Sequence, residues 1–281
     1  MRGRLRYSLG AVLRPLVMMV CALCPAIGAA DGAATFDRSE ALAISQAAIG
    51  EPIGDHAFTS VNGQEVRLSD FRGKPLVISL IYTSCYHICP ATTAHLAKVV
   101  RKARSALGED SFHVLTIGFD AANDTSERMR VFAAEQGVDF LGWDVLSGDS
   151  STIEALASEL GFQFYATPHG FDHLIQASIV DADGLVYRQV YGIQFDTPHL
   201  IEPLKVLVFG DKRAGAAMSL LDEITARVKL FCTVYDPASD SYRFDYSIFV
   251  GLVMGLVLGA VFLYLLYREW TTSRKASAGR A

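Results

Sequence analysis

Short continuous apolar runs alternate with longer stretches of helical spacing through the middle of the chain. Residues 76–82 form an apolar run rich in β-branched side chains, which is typical of a strand buried on both faces. Residues 91–107 follow, and they place apolar side chains such as Leu96 and Ala103 on one stripe of a helix. The pattern therefore predicts a buried strand that leads into an amphipathic helix.

The same alternation continues on both sides of this unit. We predict strands over residues 113–119 and 144–146, helices over residues 126–136, 151–160 and 197–209, and hairpins over residues 58–66 and 174–191. Asn62-Gly63 favours the two positive φ angles of a type I′ turn in the first hairpin. Strands that alternate with helices and end in a hairpin and a helix indicate an α/β fold with helices around a sheet.

The N-terminal 30 residues have the pattern of a secretory signal peptide. Four arginines lie within residues 2–14, and an uncharged stretch, residues 15–30, ends in Gly28-Ala29-Ala30. The stretch is shorter than the roughly 20 residues that a bilayer requires, which argues against an uncleaved anchor. We expect cleavage after Ala30, so Cys21 and Cys24 would leave with the signal. Residues 31–52 are expected to be a lead-in segment, either a tether or a short helix.

A second apolar segment lies near the C-terminus. Residues 247–267 contain no charged side chain and are flanked by aromatic residues, which predicts a transmembrane helix over residues 246–267. The following tail, residues 268–281, carries four basic residues and one glutamate, whereas the preceding juxtamembrane segment, residues 211–245, is acidic near the membrane. The positive-inside rule places the tail in the cytoplasm and the main domain, residues 53–210, outside it.

Charge excludes some classes of partner for the exported body, residues 31–245. The chain has 25 Lys plus Arg and 30 Asp plus Glu, and taking away eight basic residues and one acidic residue in the two ends leaves 17 against 29. The resulting formal net charge of −12 argues against nucleic acid or anionic lipid as partners.

The body has three cysteines, and two of them form the motif Cys85-Tyr86-His87-Ile88-Cys89-Pro90 between the predicted strand and helix. Paired thiols at such a position indicate redox chemistry or a thiophilic metal. We expect the dipole of the following helix to favour thiolate at Cys89 first and at Cys85 second. The third, Cys232, is either a buried small hydrophobe, which we favour, or a partner in an intermolecular disulfide or an auxiliary metal contact.

These features together resemble the Sco/SenC family of membrane-anchored copper proteins, which have a thioredoxin-like fold. The resemblance rests on Tyr82-Thr83 before the cysteine motif, on Asp172-His173 ahead of the late hairpin, and on a loop containing Asp120. It implies a central mixed β-sheet flanked by helices, here with a C-terminal transmembrane helix. Two features depart from the family: Tyr86-His87 stands where Pro-Asp is frequent, and the anchor is C-terminal rather than N-terminal.

The resemblance also implies the site residues. Cys85, Cys89 and His173 would bind copper, as Cu(I) or Cu(II), and the two cysteines would be redox-active and able to form a disulfide. Two thiolates suit Cu(I), and a neutral imidazole extends the site to Cu(II). For Asp120, a role in the site and ordinary turn chemistry are about equally supported. His87 is a fourth ligand, a proton source for thiol exchange or an exposed loop residue, and we favour exposure. We expect a structural or solvent-facing role for the remaining histidines: His56, His95, His113, His169 and His199.

By resemblance, the leading hypothesis is a periplasmic metallochaperone in the bacterial inner membrane that delivers copper to a respiratory oxidase copper centre, in cytochrome c oxidase assembly. Its partners would be a copper-accepting oxidase subunit and a periplasmic thiol reductant. The alternative is an enzyme, a thiol-disulfide oxidoreductase that reduces the cysteines of the acceptor. Peroxidase chemistry is less favoured, because it requires threonine where this chain has Tyr82, and a purely structural assembly factor is the fourth candidate. Gly251, Gly255 and Gly259 form a stripe that would allow contact with another membrane helix.

Overall fold

A seven-stranded sheet organises the body in the computed structural model, which describes residues 36–138, 140–210, 225 and 228–278. The predicted signal peptide and much of the juxtamembrane segment lie outside these residues. The strands are β1 (Ala57–Ser60), β2 (Glu65–Arg67), β3 (Leu76–Ile81), β4 (His113–Gly118), β5 (Trp143–Ser147), β6 (Phe164–Thr167), β7 (Gly170–His173), β8 (Gln176–Val180), β9 (Val186–Tyr191), β10 (Thr233–Asp236) and β11 (Ser241–Phe244).

The sheet is mixed, in the order β2-β1-β5-β4-β3-β8-β9. Strands β3, β4 and β5 run parallel, whereas β1 pairs antiparallel with β5 and β8 pairs antiparallel with β3. All six residues of β3 are buried, because this central strand is covered on both faces. The continuous apolar run in the sequence is therefore a strand buried on both faces, as predicted.

The helices are α1 (Arg38–Ala47), α2 (Ile88–Leu107), α3 (Ser126–Gln136), α4 (Ser150–Glu159), α5 (Thr197–Gly210) and α6 (Ser247–Ala278). Helix α2 buries an apolar stripe that includes Leu96, Val100 and Ala103, and it contacts both α3 and α5. This arrangement of a central mixed sheet flanked by helices confirms the predicted fold class. In the lead-in segment, α1 packs on the body through a hydrogen bond of 2.8 Å from Ser45 Oγ to Gln176 Oε1.

The structure contains two hairpins that the sequence patterns did not predict. One is formed by β6 and β7, which pair Phe164 with His173 and Thr167 with Gly170. The other is formed by β10 and β11 in the juxtamembrane segment. Both have strands of only four residues with partly buried side chains, so neither gives a clear alternation of apolar and polar positions.

Helix α6 contains the predicted apolar segment. Its residues Ser247–Arg268 have a mean hydropathy of 2.6 and none of them is buried against the protein. Within the part of the chain that the structure describes, this is the one helix that is long and apolar enough to cross a membrane.

Candidate metal centre

The two cysteines lie where the central strand β3 passes into helix α2. Strand β3 ends at Ile81, and the helix begins at Ile88, slightly earlier than the sequence suggested, so Cys89 lies in its first turn. The Cys89 backbone N–H donates a hydrogen bond of 3.3 Å to Cys85 Sγ. Both cysteines are free thiols. Cys89 is 4% exposed and Cys85 is half-buried, so the pair has an inner and an outer member.

The two thiols differ in acidity. Burial acts to raise the pKa of Cys85, but hydrogen bonds to its sulfur from the backbone N–H groups of Cys89 and His87 help to hold that pKa below the ordinary thiol value. Burial raises the pKa of Cys89 strongly, and the nearby Cys85 adds to the effect. The expectation that the helix dipole favours thiolate first at Cys89 is therefore wrong, because loss of solvation outweighs the helix N-terminus at this depth.

Tyr82 connects the cysteine loop to the rest of the site. Its hydroxyl is hydrogen-bonded to Cys85, and burial together with this interaction raises the pKa of Tyr82 to about 12. Its ring meets that of Phe171 edge-on, with 5.3 Å between centroids, and lies 6.1 Å from the His173 ring. Tyr82 therefore touches the outer thiol and packs beside the distant histidine.

His173 is the last residue of β7, and aromatic rings surround it. The rings of Phe119 and Phe162 each lie 5.3 Å from its ring, between centroids. Its Nδ1 lies 2.7 Å from the Leu174 carbonyl oxygen, which can only accept, so Nδ1 carries the proton and Nε2 keeps the lone pair. Burial lowers the pKa of His173, which keeps the ring neutral. A carbonyl that fixes the tautomer in this way is typical of histidines that bind metals through the other nitrogen.

Cys89 and His173 line the same small cavity, although they are 84 positions apart in the sequence. The cavity has a volume of about 10 Å³, and Ile81, Ile88 and Gln176 also line it. A space of this size suits one water molecule or one ion. The described residues contain no preformed group of three or more His, Cys, Asp or Glu side chains that could hold a metal. A site using both thiols and the imidazole would therefore require Cys85 to turn toward this cavity.

Asp124 holds the residues just before the cysteine motif in place, a role that we did not predict from the sequence. Its Oδ1 accepts hydrogen bonds from Thr83 N at 2.8 Å and from Thr83 Oγ1 at 2.7 Å, and its Oδ2 accepts one from Asp120 N at 2.9 Å. Asp124 is 1% exposed, and burial raises its pKa. The side chain that caps α3 is that of the next residue, Thr125. An acidic residue shortly after a strand end was the only signal in the sequence for this role.

The side chains of the other candidates lie outside this group of contacts. Asp120 accepts a hydrogen bond of 2.8 Å from the Asn123 side chain, which is turn chemistry at the surface. His87 is exposed, as predicted, and Asp172 is exposed beside His173. His95 has a structural role, because its Nε2 lies 2.8 Å from the Phe195 carbonyl oxygen. Cys232 is 4% exposed, which supports the buried-hydrophobe interpretation over an intermolecular disulfide.

Comparisons with known sequences agree on one family. The sequence model of the family described as SCO1/SenC matches residues 46–208. The SCO1 protein homolog of Bacillus subtilis (strain 168) is 30% identical over 146 residues, which cover 50% of this chain and 74% of that protein.

Solved structures show the same fold. A provisionally assigned electron transfer protein from Aquifex aeolicus VF5 is 28% identical with a TM-score of 0.54, over 59% of this chain and 96% of that one. BsSco, described as a member of the Sco family of cytochrome c oxidase assembly proteins with a disulfide switch, is 23% identical with a TM-score of 0.51, over 57% and 94%. Sco proteins solved with copper bound are among the other structural neighbours.

Proposed function

The chain belongs to the SCO1/SenC family, and on that premise we propose that it is a membrane-anchored protein that binds copper and delivers it to an oxidase copper centre. The ligands would be the sulfurs of Cys85 and Cys89 and Nε2 of His173. The main domain would lie in the periplasm of a bacterial inner membrane, anchored by α6 with the C-terminus in the cytoplasm.

One observation carries this proposal. His173 and Cys89 line the same cavity. The Nδ1 of His173 is hydrogen-bonded to a carbonyl oxygen, which leaves the lone pair of Nε2 free to bind a metal. Two soft sulfurs and one neutral imidazole form a ligand set that suits Cu(I) and can also hold Cu(II). The aromatic rings around His173 limit access by water, which favours ligands over solvent at the metal.

Delivery would proceed by exchange of ligands. Cys85 is the outer and more acidic thiol, so its thiolate would be the first to meet an incoming ion and the first to be replaced by an acceptor thiolate. Acceptor ligands would then replace Cys89 and His173 in turn. Each exchange replaces one metal bond with another and leaves the oxidation state of the metal unchanged. Both cysteines must be reduced beforehand, which implies a periplasmic thiol reductant.

The unequal thiols also favour a second candidate, a thiol-disulfide oxidoreductase that reduces the acceptor's cysteines. The Cys85 thiolate would attack an acceptor disulfide and release one acceptor thiolate. Cys89, after losing its proton, would attack the mixed disulfide and release the second acceptor thiolate. The acceptor gains two electrons and the chain keeps a Cys85–Cys89 disulfide, which the reductant would restore to two thiols.

Anaerobic titration of the reduced full chain in detergent tests the first proposal. We expect one copper per protein, no binding after Cys85→Ser or Cys89→Ser, and a greater loss of Cu(II) than of Cu(I) after His173→Ala. His169→Ala is the matched control, because His169 is an exposed histidine in the turn of the same hairpin. Absence of stoichiometric uptake would overturn the copper proposal.

The oxidoreductase needs a different measurement. Rapid reduction of a model protein disulfide, unchanged by His173→Ala but lost with Cys85→Ser, would support it, because thiol exchange does not require the imidazole. Slow reduction that is equal in the native chain and in Cys85→Ser would contradict it.

A further inference from the structure

The hairpin of β10 and β11, here named the anchor hairpin (residues 233–244), connects the body to the predicted membrane span. Only Asp245 and Tyr246 separate it from α6. Its strands pair Thr233 with Phe244, and Asp245 N donates a hydrogen bond of 2.7 Å to the Cys232 carbonyl oxygen, which extends the pairing to the base of the span. The ring of Phe244 also stacks on that of Phe249 in α6, with 6.0 Å between centroids.

A buried ammonium group connects the anchor hairpin to helix α5. Lys205 is 8% exposed, and its Nζ donates a hydrogen bond of 3.0 Å to the Thr233 carbonyl oxygen. Glu202 pairs with the same Nζ at 2.8 Å, and the ring of Tyr242 lies 5.9 Å from it. Burial removes water from the ammonium group, and its protein partners replace that hydration. Loss of these partners would leave an unpaired buried charge, which is strongly destabilising. Two of these three partners belong to the hairpin, so the body needs the hairpin in place.

A second set of contacts connects the anchor hairpin to helix α2. The Asp240 carboxylate pairs with Lys102 of α2 and accepts a hydrogen bond of 3.0 Å from the Tyr235 hydroxyl. Tyr242 also lines a surface cavity together with Lys102 and Ala106 of this helix, and β11 contacts α2. The hairpin is therefore attached to two different helices of the body.

Helix α2 also carries the candidate metal centre. Cys89 lies in its first turn and Lys102 lies 13 residues further along, which corresponds to about 20 Å of helix at 1.5 Å per residue. An α-helix packed against its neighbours over this length behaves as a rigid rod. One rod therefore joins the thiols to the hairpin that leads into the predicted membrane span.

We propose that the anchor hairpin is a rigid adaptor that fixes the height and orientation of the Cys85–Cys89 loop above the bilayer. As a result, the loop serves acceptors held in the same membrane rather than partners that diffuse freely. The second part rests on the proposed function, whereas the rigid attachment does not depend on metal binding.

Electron paramagnetic resonance on the full chain in lipid nanodiscs tests the attachment. Spin-labelled unnatural amino acids would replace Tyr86, which is 86% exposed in the cysteine loop, and Tyr246, which is exposed at the start of the span. We expect a single narrow distance distribution. The double variant Asp240→Ala/Tyr242→Ala should broaden it at least about twofold, because a freed segment moves over tens of ångströms. Val234→Ala, at an exposed position of the same hairpin, is the matched control and should leave it narrow.

Two results would overturn the adaptor: a broad distribution in the native chain, or a distribution in the double variant as narrow as in the control. Both substitutions lie in the hairpin rather than in the body, and circular dichroism would verify that the body stays folded. The measurement requires no copper, so failure of the copper titration would overturn the proposed function alone.

Discussion

Substitution Asp124→Asn tests whether this carboxylate holds the cysteine loop in place. The side chain accepts three hydrogen bonds, two from Thr83 and one from the backbone N–H of Asp120, and it is 1% exposed. Asparagine has nearly the same shape but only one acceptor oxygen. If that oxygen accepts from Thr83, the asparagine NH₂ group faces the Asp120 N–H. If it accepts from Asp120, the NH₂ group faces the Thr83 donors.

The expected cost follows from these contacts. A hydrogen bond to a charged acceptor contributes about 1.5–3 kcal/mol and one to a neutral acceptor about 1 kcal/mol, while a buried donor left without a partner costs about 1–3 kcal/mol. Burial works in the opposite direction, because the charged form of Asp124 is itself disfavoured and its pKa is raised. We therefore expect a net loss of about 2–4 kcal/mol in the free energy of unfolding, or about 4–16 °C in Tm for a domain of this size.

Thermal unfolding of the full chain in detergent, followed by circular dichroism, measures this loss. Hydrogen exchange should also show faster exchange at the Thr83 amide. Asp120→Asn is the matched control: the chemical change is the same, but the carboxylate of Asp120 holds only the Asn123 side chain near the surface. We expect that variant to lose less than about 1 kcal/mol. Equal shifts in Tm for the two variants would refute the reasoning.

Three further predictions concern the thiols and the anchor hairpin. Iodoacetamide at pH 7 should modify Cys85 at least about tenfold faster than Cys89, because a difference of one pKa unit alone changes the thiolate fraction about tenfold. Peptide mass spectrometry measures the two rates, and modification of Cys89 first would contradict this prediction. Tyr82→Phe removes a hydrogen bond to the Cys85 sulfur and should slow that alkylation by about two- to fivefold. An unchanged rate would show that the hydroxyl does not stabilise the thiolate. The Lys102 side chain and other donors lower the pKa of Asp240 to about 2. The ionised carboxylate therefore stabilises docking of the hairpin fully above the usual carboxyl pKa of 3.8, and this stabilisation is lost as the pH falls through about 2. The distance distribution should broaden over that range in the native chain, whereas the distribution of Asp240→Asn should show no such pH-dependent step.

The cysteine half of the site could be predicted from the sequence because it is built from neighbouring residues. An apolar β-branched run specifies a buried strand, and an amphipathic stripe specifies the helix that follows. Their junction fixes the place of Cys85 and Cys89 with no information from the rest of the chain. The same local rules gave the α/β order of elements, the first hairpin and the apolar segment near the C-terminus, whereas the mixed character of the sheet was implied by the resemblance to a family.

The other half depends on contacts between residues far apart in the chain. Only the tertiary structure brings His173 to the cavity beside Cys89, since the short β6–β7 hairpin that carries it has no clear periodicity. The reversal of acidity between the thiols arises from depth of burial, which no local pattern contains. Likewise, Asp124 and Lys205 look like ordinary surface charges in the sequence, and their roles follow from the donors and acceptors that folding places around them. Local propensity thus determined the elements and the thiol pair, whereas solvation and long-range packing decided which groups share the site and how the body meets its anchor.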